Sequence, residues 1–417
     1  MDTKELTPVE RAKSCIDNHR SFVLHGGAGS GKTETLKDLL QYMSEKHPTA
    51  KVACITHTNI AADEIKERIE NSCLVSTIHA FLYDFIKRYK KNIKSVIHAL
   101  FVLPLMVREP LGQGMSETDY RKAEHERYKK TYGEYSDKLY SFSKQTCDKV
   151  TGKRDYDKTP EAYNADLNQK ISDLNELIIH KIQDFDFSKI EYNQTKFNSF
   201  KDVSYGHDGL LDIAHLLFFR YPVLRKIISD KYDYIFIDEY QDTRASVVGD
   251  FIIITQEVPN FTISLFGDSM QSIYGDGIGN VDNYTEAQIL SSIPKQDNFR
   301  CSYEVLELIN TLRLDNIKQN VAFAKDSTGQ LETEDKRHGI VRILYSIYNQ
   351  KPTPRGQTEE KEAYLNAVES LITEAKKYDS NAKILLLTNK AIAKKEGFST
   401  LYKVFDDRSC ISRPRNT

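Results

Sequence analysis

The segment G-G-A-G-S-G-K-T at positions 26–33 fits the pattern G-x-x-x-x-G-K-[S/T], whose residue types and spacing can hold a triphosphate. Glycines let backbone N–H groups turn inward and cradle phosphate oxygens. The lysine then reaches the β- and γ-phosphates, and the threonine hydroxyl binds magnesium. The segment therefore predicts a site for ATP and Mg2+. The expected cofactor-binding residues are Gly26, Gly27, Gly29, Ser30, Gly31, Lys32, Thr33 and Glu34.

A second segment, I-F-I-D-E at positions 235–239, supplies the acidic groups that such a site needs. Asp238 can hold Mg2+, and Glu239 can orient and deprotonate the water that attacks the outer phosphate. A plain solvated strand end would also explain an acidic pair after an apolar run, but the phosphate-binding segment favours the catalytic interpretation. The expected metal ligands are therefore Thr33 and Asp238.

Strands and helices of an α/β fold must position these residues. The apolar run 21–25 precedes the glycines and predicts a strand. A helix is predicted after the loop, because apolar residues follow at helical spacing: Leu36, Leu39, Leu40 and Met43. Further buried strands of a parallel sheet are predicted at 52–56, 234–237 and 262–266. A loop between a strand and a helix brings the positive end of the helix to the phosphates.

Five more segments extend the pattern in a fixed order. They are T-H-T-N-I-A-A at 56–62, V-S-T-I-H at 75–79, D-E-Y-Q-D-T at 238–243, G-D-S-M-Q-S-I-Y at 267–274 and N-F-R-C-S at 298–302. With the phosphate-binding segment, they resemble motifs I, Ia, Ib, II, III and IV of the UvrD/Rep-type superfamily 1 DNA helicases. The resemblance implies an α/β fold with a RecA-like P-loop NTPase core, built on a parallel sheet, and an ATP-hydrolysing DNA helicase.

The resemblance also implies a role for each matching residue. Gln271 would sense the γ-phosphate, Phe299 would stack on the adenine, and Arg300 would neutralise charge that develops during phosphoryl transfer. The implied catalytic residues are Lys32, Glu239, Gln271 and Arg300. The residues implied to contact single-stranded or partially duplex DNA are Thr58, Asn59, Thr77, His79 and Tyr274. A plain surface or core role stays open for each polar loop residue among them.

The sequence departs from this family at several positions. Relatives place a tryptophan and an arginine after motif III, where this chain reads G-D-G at 275–277, and it contains no tryptophan. Glu10 occupies the place of an adenine-reading glutamine, and Ile60 stands where a lysine is usual. Motifs V and VI are not recognisable in the 417 residues, which leaves a truncated product, a proteolysed fragment and a natural short form all open.

The order of the elements predicts three domains. Residues 1–84 and 205–296 would form the first RecA-like ATPase core, and 85–204 an inserted, largely helical DNA-binding domain. Residues 297–417 would form a partial second RecA-like core. Its predicted elements are a helix carrying Val305, Ile309 and Leu312, a strand near 340–345, a helix near 363–375 and a strand at 384–388.

The first part of the predicted insertion is basic and rich in tyrosine. Residues 85–158 hold 17 Lys and Arg against 10 Asp and Glu. Seven tyrosines lie among these charges: Tyr89, Tyr120, Tyr128, Tyr132, Tyr135, Tyr140 and Tyr156. Such a mixture can follow phosphates and stack on unpaired bases, although a solvated helical surface has the same composition.

The bulk composition excludes several classes. A share of 40% hydrophobic and 28% charged residues is that of a globular protein, and not of a disordered or fibrous one. No apolar run is long enough to span a membrane, and no secretory signal is visible, so a cytoplasmic protein is expected. Six scattered cysteines argue against structural zinc and disulfides.

Two functional hypotheses follow. The first is an ATP-dependent translocase or helicase that is stimulated by single-stranded DNA and moves 3' to 5', a direction implied by the resemblance alone. The second is a nucleotide-gated DNA-binding subunit that acts with a nuclease. Short, divergent relatives of the family resemble helicase subunits of bacterial anti-phage defence systems, including Gabija-like pairs with an OLD-type nuclease.

Overall fold

The computed structural model describes residues 6–67, 73–111, 114–325, 329–347, 358–385 and 397–398. The chain divides into two compact units, Met1–His338 and Gly339–Thr417. The strands are β1 Phe22–Gly26, β2 Val52–Thr56, β3 Leu74–Thr77, β4 Glu191–Tyr192, β5 Ser204–Tyr205, β6 Tyr234–Asp238, β7 Thr262–Gly267, β8 Ser291–Lys295, β9 Asp297–Asn298 and β10 Asn320–Val321. None of the helices in these ranges is long and apolar enough to span a bilayer.

The helices account for most of the remaining structure. They are α1 Pro8–Asp17, α2 Lys32–Lys46, α3 Asn59–Lys66, α4 Ile78–Ile86, α5 Lys90–Val96, α6 Glu117–Ser143, α7 Lys153–Tyr156, α8 Pro160–Asp184, α9 His207–Arg220, α10 Pro222–Lys231, α11 Ala245–Glu257, α12 Asp282–Glu286, α13 Tyr303–Leu312 and α14 Thr358–Tyr378.

A six-stranded parallel sheet in the order β3-β2-β6-β7-β1-β8 forms the centre of the first unit. Alternate residues of each strand enter opposite layers, as strand geometry requires. In β1, Phe22 and Leu24 pack with α1, α2 and α3, whereas Val23 packs on the other face with α4, α9 and α11. Because both faces of the sheet are covered, the central strands β1, β2, β6 and β7 are mainly apolar, as the sequence predicts. The predicted strands at 52–56, 234–237 and 262–266 are all confirmed.

The sheet is interrupted by the helices α4 to α10, which lie between β3 and β6 in sequence. Long helices α6 and α8 pack on each other, and α8 buries Leu167, Ile171 and Leu174 along one stripe. These residues belong to the same hydrophobic cluster as Val23 of β1. The helical segment therefore shares a continuous core with one face of the sheet.

The elements predicted after residue 300 are only partly present. The helices predicted around 305–312 and 363–375 are confirmed as α13 and α14. The strand predicted near 340–345 is wrong: these residues form no regular structure, and Ile340 and Ile343 are exposed. An apolar run needs a paired neighbour to become a strand, and no strand pairs with it in the described residues. Of the strand predicted at 384–388, residues 386–388 lie outside the described ranges.

Candidate functional site

The phosphate loop connects β1 to α2 at the carboxyl edge of the sheet. Gly29 and Gly31 have φ angles of 81° and 76°, a left-handed conformation that glycine adopts without the strain of a side chain. Gly31 is the N-cap of α2, so the amino end of a 15-residue helix is directed at the loop. The loop thus combines backbone donors with the positive end of a helix dipole, the two features that favour bound phosphate.

Lys32 is buried and folds back onto the loop. Its Nζ donates to the carbonyl oxygens of Gly26 at 2.8 Å and Gly27 at 3.3 Å. Burial lowers the pKa of Lys32, while the carboxylates of Glu239, Asp268 and Asp238 oppose that shift. The ammonium group is therefore held at the loop with three acidic groups near it.

The segment that follows β8 packs directly on the phosphate loop. Asn298 Nδ2 donates to the carbonyl oxygen of Ala28 at 2.7 Å. The N–H of Phe299 donates to the carbonyl oxygen of Gly29 at 2.8 Å. A methyl group added at Gly29 would lie 2.7 Å from Cβ of Arg300, and one at Gly31 would lie 3.7 Å from the Phe299 ring. Phe299 and Arg300 are both exposed beside the phosphate loop. This position is compatible with the nucleotide contacts that the family resemblance implies for them.

The acidic pair stands at the end of β6. Asp238 is 4% exposed and accepts a hydrogen bond from the N–H of Glu239. Burial, with the neighbouring charge of Glu239, raises the pKa of Asp238 to about 7. Glu239 has a left-handed backbone, with φ 49°, which is strained for a residue with a side chain and is common at functional sites. Its Oε2 accepts from Gln241 Nε2 at 2.8 Å, which fixes the carboxylate.

A buried polar network joins this pair to the end of β7. The N–H of Asp268 donates to Gln241 Oε1 at 3.0 Å, and Gln271 Nε2 donates to Asp268 Oδ2 at 2.6 Å. Arg313 then pairs with Asp268 at 2.8 Å, although it lies beyond α13 in the sequence. Burial alone would raise the pKa of Asp268, but the hydrogen bonds from Arg313 and Gln271 outweigh it, and the pKa is lowered.

Sequence reasoning missed Arg313 and did not single out Asp268. Asp268 lies inside the motif III segment and could have been found as its second residue. Arg313 carries no motif signal, and only its side chain, 5% exposed between Asp268 and Asp315, identifies it. It orients Gln271 indirectly, through Asp268.

One cavity of about 550 Å³ brings together six of the predicted site residues. Its walls include the predicted metal ligands, the predicted base, the predicted phosphate sensor and two predicted DNA contacts: Thr33, Asp238, Glu239, Gln271, Thr58 and Tyr274. The carboxyl edge of a parallel sheet is where such ligand sites occur. The cavity thus connects the phosphate loop to the surface that the sequence assigns to DNA.

The predicted DNA contacts Thr58, Asn59 and Thr77 lie where β2 and β3 are each followed by a helix. Thr58 caps α3, since its hydroxyl accepts from the N–H of Ala61 at 3.2 Å. Thr77 caps α4 in the same way, accepting from Ala80 at 3.3 Å. Asn59 begins α3 and is exposed. Both threonines therefore have a local structural role in addition to the predicted one.

Histidine and tyrosine rings line the same edge. His57 stacks at a tilt on Tyr274, with ring centroids 5.4 Å apart, and His79 meets His207 edge-on at 5.1 Å. Burial lowers the pKa of His79, and the charges of His207 and His57 lower it further. A mainly neutral imidazole at this position could gain a proton when a phosphate approaches it.

The suggested role of the basic, tyrosine-rich segment fits the structure less well. Tyr128, Tyr135 and Tyr156 of the basic segment are buried, so they pack in the core and cannot stack on bases. Several cations of this segment are also paired locally, among them Arg121 with Glu117 and Arg127 with Glu109. Glu10, placed where relatives read adenine, accepts from Thr7 at 2.8 Å in a capping box of α1.

The residues present suit a triphosphate with a divalent cation. Ser30 Oγ is buried at the loop and has no hydrogen-bond partner in the described part of the chain. The hydroxyl of Thr33 and the carboxylate of Asp238 face one cavity. Hard oxygen donors of this kind are those that Mg2+ prefers. Thr33 and Asp238 would hold the cation, and the loop from Gly26 to Thr33 would hold the phosphates.

Fold and site define a P-loop nucleotide-binding protein with a RecA-like core. The description of the family model that matches residues 7–290 is UvrD/REP helicase N-terminal domain, and the chain belongs to the UvrD/REP helicase family. It is 28% identical to the Gabija protein GajB of Bacillus cereus (strain HuB5-5), over 97% of this chain and 60% of that protein.

Helicases are among the further similar proteins. The chain is 27% identical to the ATP-dependent DNA helicase PcrA of Bacillus subtilis (strain 168), over 75% of this chain and 40% of that protein. It is 24% identical to PcrA of Staphylococcus aureus (strain Mu50 / ATCC 700699), over 74% of this chain and 40% of that protein. The chain therefore spans less than two thirds of the length of these relatives.

Proposed function

We propose that this protein is an ATP-dependent, single-stranded-DNA-stimulated translocase or helicase that moves 3' to 5' in the cytoplasm. The observation that carries the proposal is the cavity that Thr33, Asp238, Glu239 and Gln271 share with Thr58. Residues suited to hydrolysis and residues suited to a DNA strand thus line one space. A change at the outer phosphate would therefore take place in the same cavity as the predicted strand contact.

The chain's own residues suggest how hydrolysis proceeds. Lys32 would release the carbonyls of Gly26 and Gly27 and pair with phosphate oxygens, a stronger partner for a buried ammonium. Thr33 and Asp238 would hold Mg2+, which would supply positive charge to neutralise the phosphates. Glu239, fixed by Gln241, would orient a water and accept its proton. Arg300 would stabilise the charge that develops on the transferred group.

The excess positive charge of the predicted insertion supports a DNA-binding role for it. We propose residues 1–84 and 205–296 as the first core, 85–204 as the helical DNA-binding insertion and 297–417 as part of a second core. The insertion has excess positive charge, which favours phosphate contacts. Contact with several phosphates would make DNA affinity fall by about 0.7 decades per decade of salt for each contact.

Turnover of ATP by the purified chain, with and without single-stranded DNA, tests the main proposal. We expect DNA to raise turnover several-fold and Lys32→Ala to abolish it. Lys46→Ala, at the far end of the same helix, is the matched control and should leave turnover unchanged. Turnover that ignores DNA, or that survives Lys32→Ala, would exclude the proposal.

A second candidate is a nucleotide-gated DNA-binding subunit of an anti-phage defence complex with a nuclease partner. The similarity to the Gabija protein GajB, which extends over 97% of this chain, favours it, as does the absence of tryptophan from the sequence. Such a subunit would bind ATP and DNA and transmit the nucleotide state to its partner. Processive strand displacement by this chain alone would eliminate this candidate, and its absence alongside DNA-stimulated turnover would favour it.

A further inference from the structure

Gln319 is held beside the phosphate loop by a segment that no motif covers. It immediately precedes β10, which pairs with β9. Asn310 of α13 fixes its backbone on both sides: Gln319 N–H donates to Asn310 Oδ1 at 2.8 Å, and Asn310 Nδ2 donates to the Gln319 carbonyl at 2.8 Å. These bonds leave the side chain free to serve another purpose.

The side-chain amide of Gln319 lies against Gly27 of the phosphate loop. The residue is 2% exposed, and a methyl group added at Gly27 would lie 2.2 Å from its Oε1 and 2.6 Å from its Nε2. Its Nε2 is buried and has no hydrogen-bond partner among the described residues. A buried amide donor without an acceptor is unfavourable, so such a group in a folded protein calls for an explanation.

Three polar groups contact neighbouring residues of the phosphate loop. Lys32 Nζ contacts the carbonyl of Gly27 at 3.3 Å, next to the Gln319 amide. Ser30 Oγ, also buried and unpaired in the described residues, lies where a methyl group at Gly26 would come within 2.4 Å of it. An amide N–H, an ammonium and a hydroxyl share one kind of complementary ligand, an anion that only accepts hydrogen bonds.

We infer that Gln319 is a further triphosphate-binding residue, whose Nε2 donates to an oxygen of the γ-phosphate. Lys32 and Gln319 both contact Gly27. In loops of this pattern the lysine reaches the β- and γ-phosphates, so the Gln319 amide is expected near the same end of the nucleotide. The inference rests on the proposed ATP site and deepens it. It adds a contact from the segment after α13 that distinguishes a triphosphate from a diphosphate.

Equilibrium titration of the full chain with fluorescent non-hydrolysable ATP and with fluorescent ADP tests this inference. Gln319→Leu removes the donor, and we expect triphosphate affinity to fall at least about tenfold, the range of a hydrogen bond to a charged group. Diphosphate affinity should change less than about twofold, since the missing contact is to the outer phosphate. Gln319→Glu keeps the shape but adds a charge that repels phosphate, so it should lower triphosphate affinity further.

Gln41→Leu, an exposed glutamine on α2, is the control and should bind both nucleotides as the wild type does. Equal losses for both nucleotides, or no loss, would overturn the inference while leaving the proposed function intact. Wild-type protein that binds neither nucleotide would instead refute the proposed function. Circular dichroism checks folding, and if Gln319→Leu does not fold, the nearly isosteric Gln319→Glu decides alone.

Discussion

The phosphate side of the site and the side predicted to contact DNA are held in different ways. On the phosphate side, contacts come from distant parts of the chain: Asn298 binds Ala28, and Arg313 binds Asp268. On the DNA side, Thr58 and Thr77 are fixed by helix caps within three residues of themselves. Phosphoryl transfer needs groups preorganised to within fractions of an ångström, whereas a passing strand is held by several weak contacts. The difference predicts that substitutions will be most damaging on the phosphate side.

The largest expected effect is that of Glu239→Gln on turnover. Removing a general base costs about 10^2- to 10^4-fold in rate, while the amide keeps the shape and the binding of ATP. Steady-state hydrolysis, with nucleotide affinity measured separately, checks this. Glu45→Gln, on the exposed far end of α2, is the control. Full activity in Glu239→Gln would remove this residue from the proposed mechanism.

Arg313→Met should give the next largest effect, as a loss of stability. It leaves the buried carboxylate of Asp268 without its partner, which costs about 3 kcal/mol when one member of a buried pair is removed. Urea unfolding measures the change, and the double variant Arg313→Met with Asp268→Asn should recover part of it. Arg121→Met, at a solvent-exposed pair on α6, is the control. Wild-type stability in Arg313→Met would mean that the distant contact does not organise the site.

Thr58→Val should cost about 1 kcal/mol of stability, because α3 loses its hydroxyl cap. Thr58→Ser retains the hydroxyl and should lie close to the wild type. Comparing DNA affinity of the two variants by fluorescence anisotropy separates the cap from a strand contact. If both variants bind DNA equally well, the hydroxyl has no role in DNA binding and serves the helix alone.

The smallest expected effect is a pH dependence of DNA affinity through His79. Burial lowers the pKa of His79, with His207 and His57 adding to the shift and Asp208 opposing it. A neighbouring DNA phosphate favours the charged imidazole, so DNA-bound protein takes up a proton and DNA affinity rises as pH falls. The free energy of folding changes in the opposite direction. Because the folded protein disfavours the proton on His79, it loses stability as pH falls below about 6.5, the ordinary pKa of histidine.

Affinity measured between about pH 6 and pH 8 checks this, and His79→Gln should give a flatter profile. His180→Gln, an exposed histidine on α8, should keep the wild-type profile. If the DNA affinity of His79→Gln depends on pH as steeply as that of the wild type, a group other than His79 takes up the proton on DNA binding.

The sequence by itself determined the elements whose signals are local. The glycine pattern before Lys32, the apolar runs of β1, β2, β6 and β7, and the helical spacing after Thr33 predict the loop, the sheet strands and α2. The loop depends on glycine backbone conformation, and the strands and the helix depend on the pattern of apolar residues. A few consecutive residues are enough to show either signal. The same holds for Asp238 and Glu239, because the end of a buried strand is visible in the sequence.

Only the tertiary structure decided which distant residues complete the site. Arg313 and Gln319 lie in a segment without a motif, and their positions depend on the pairing of β9 with β10 and on the packing of α13. The burial of Tyr128 and Tyr156, which the sequence could not distinguish from exposure, came from the packing of α6 against α7 and α8. The strand expected at 340–345 failed for the same reason, because an apolar run becomes a strand only where a partner lies alongside it.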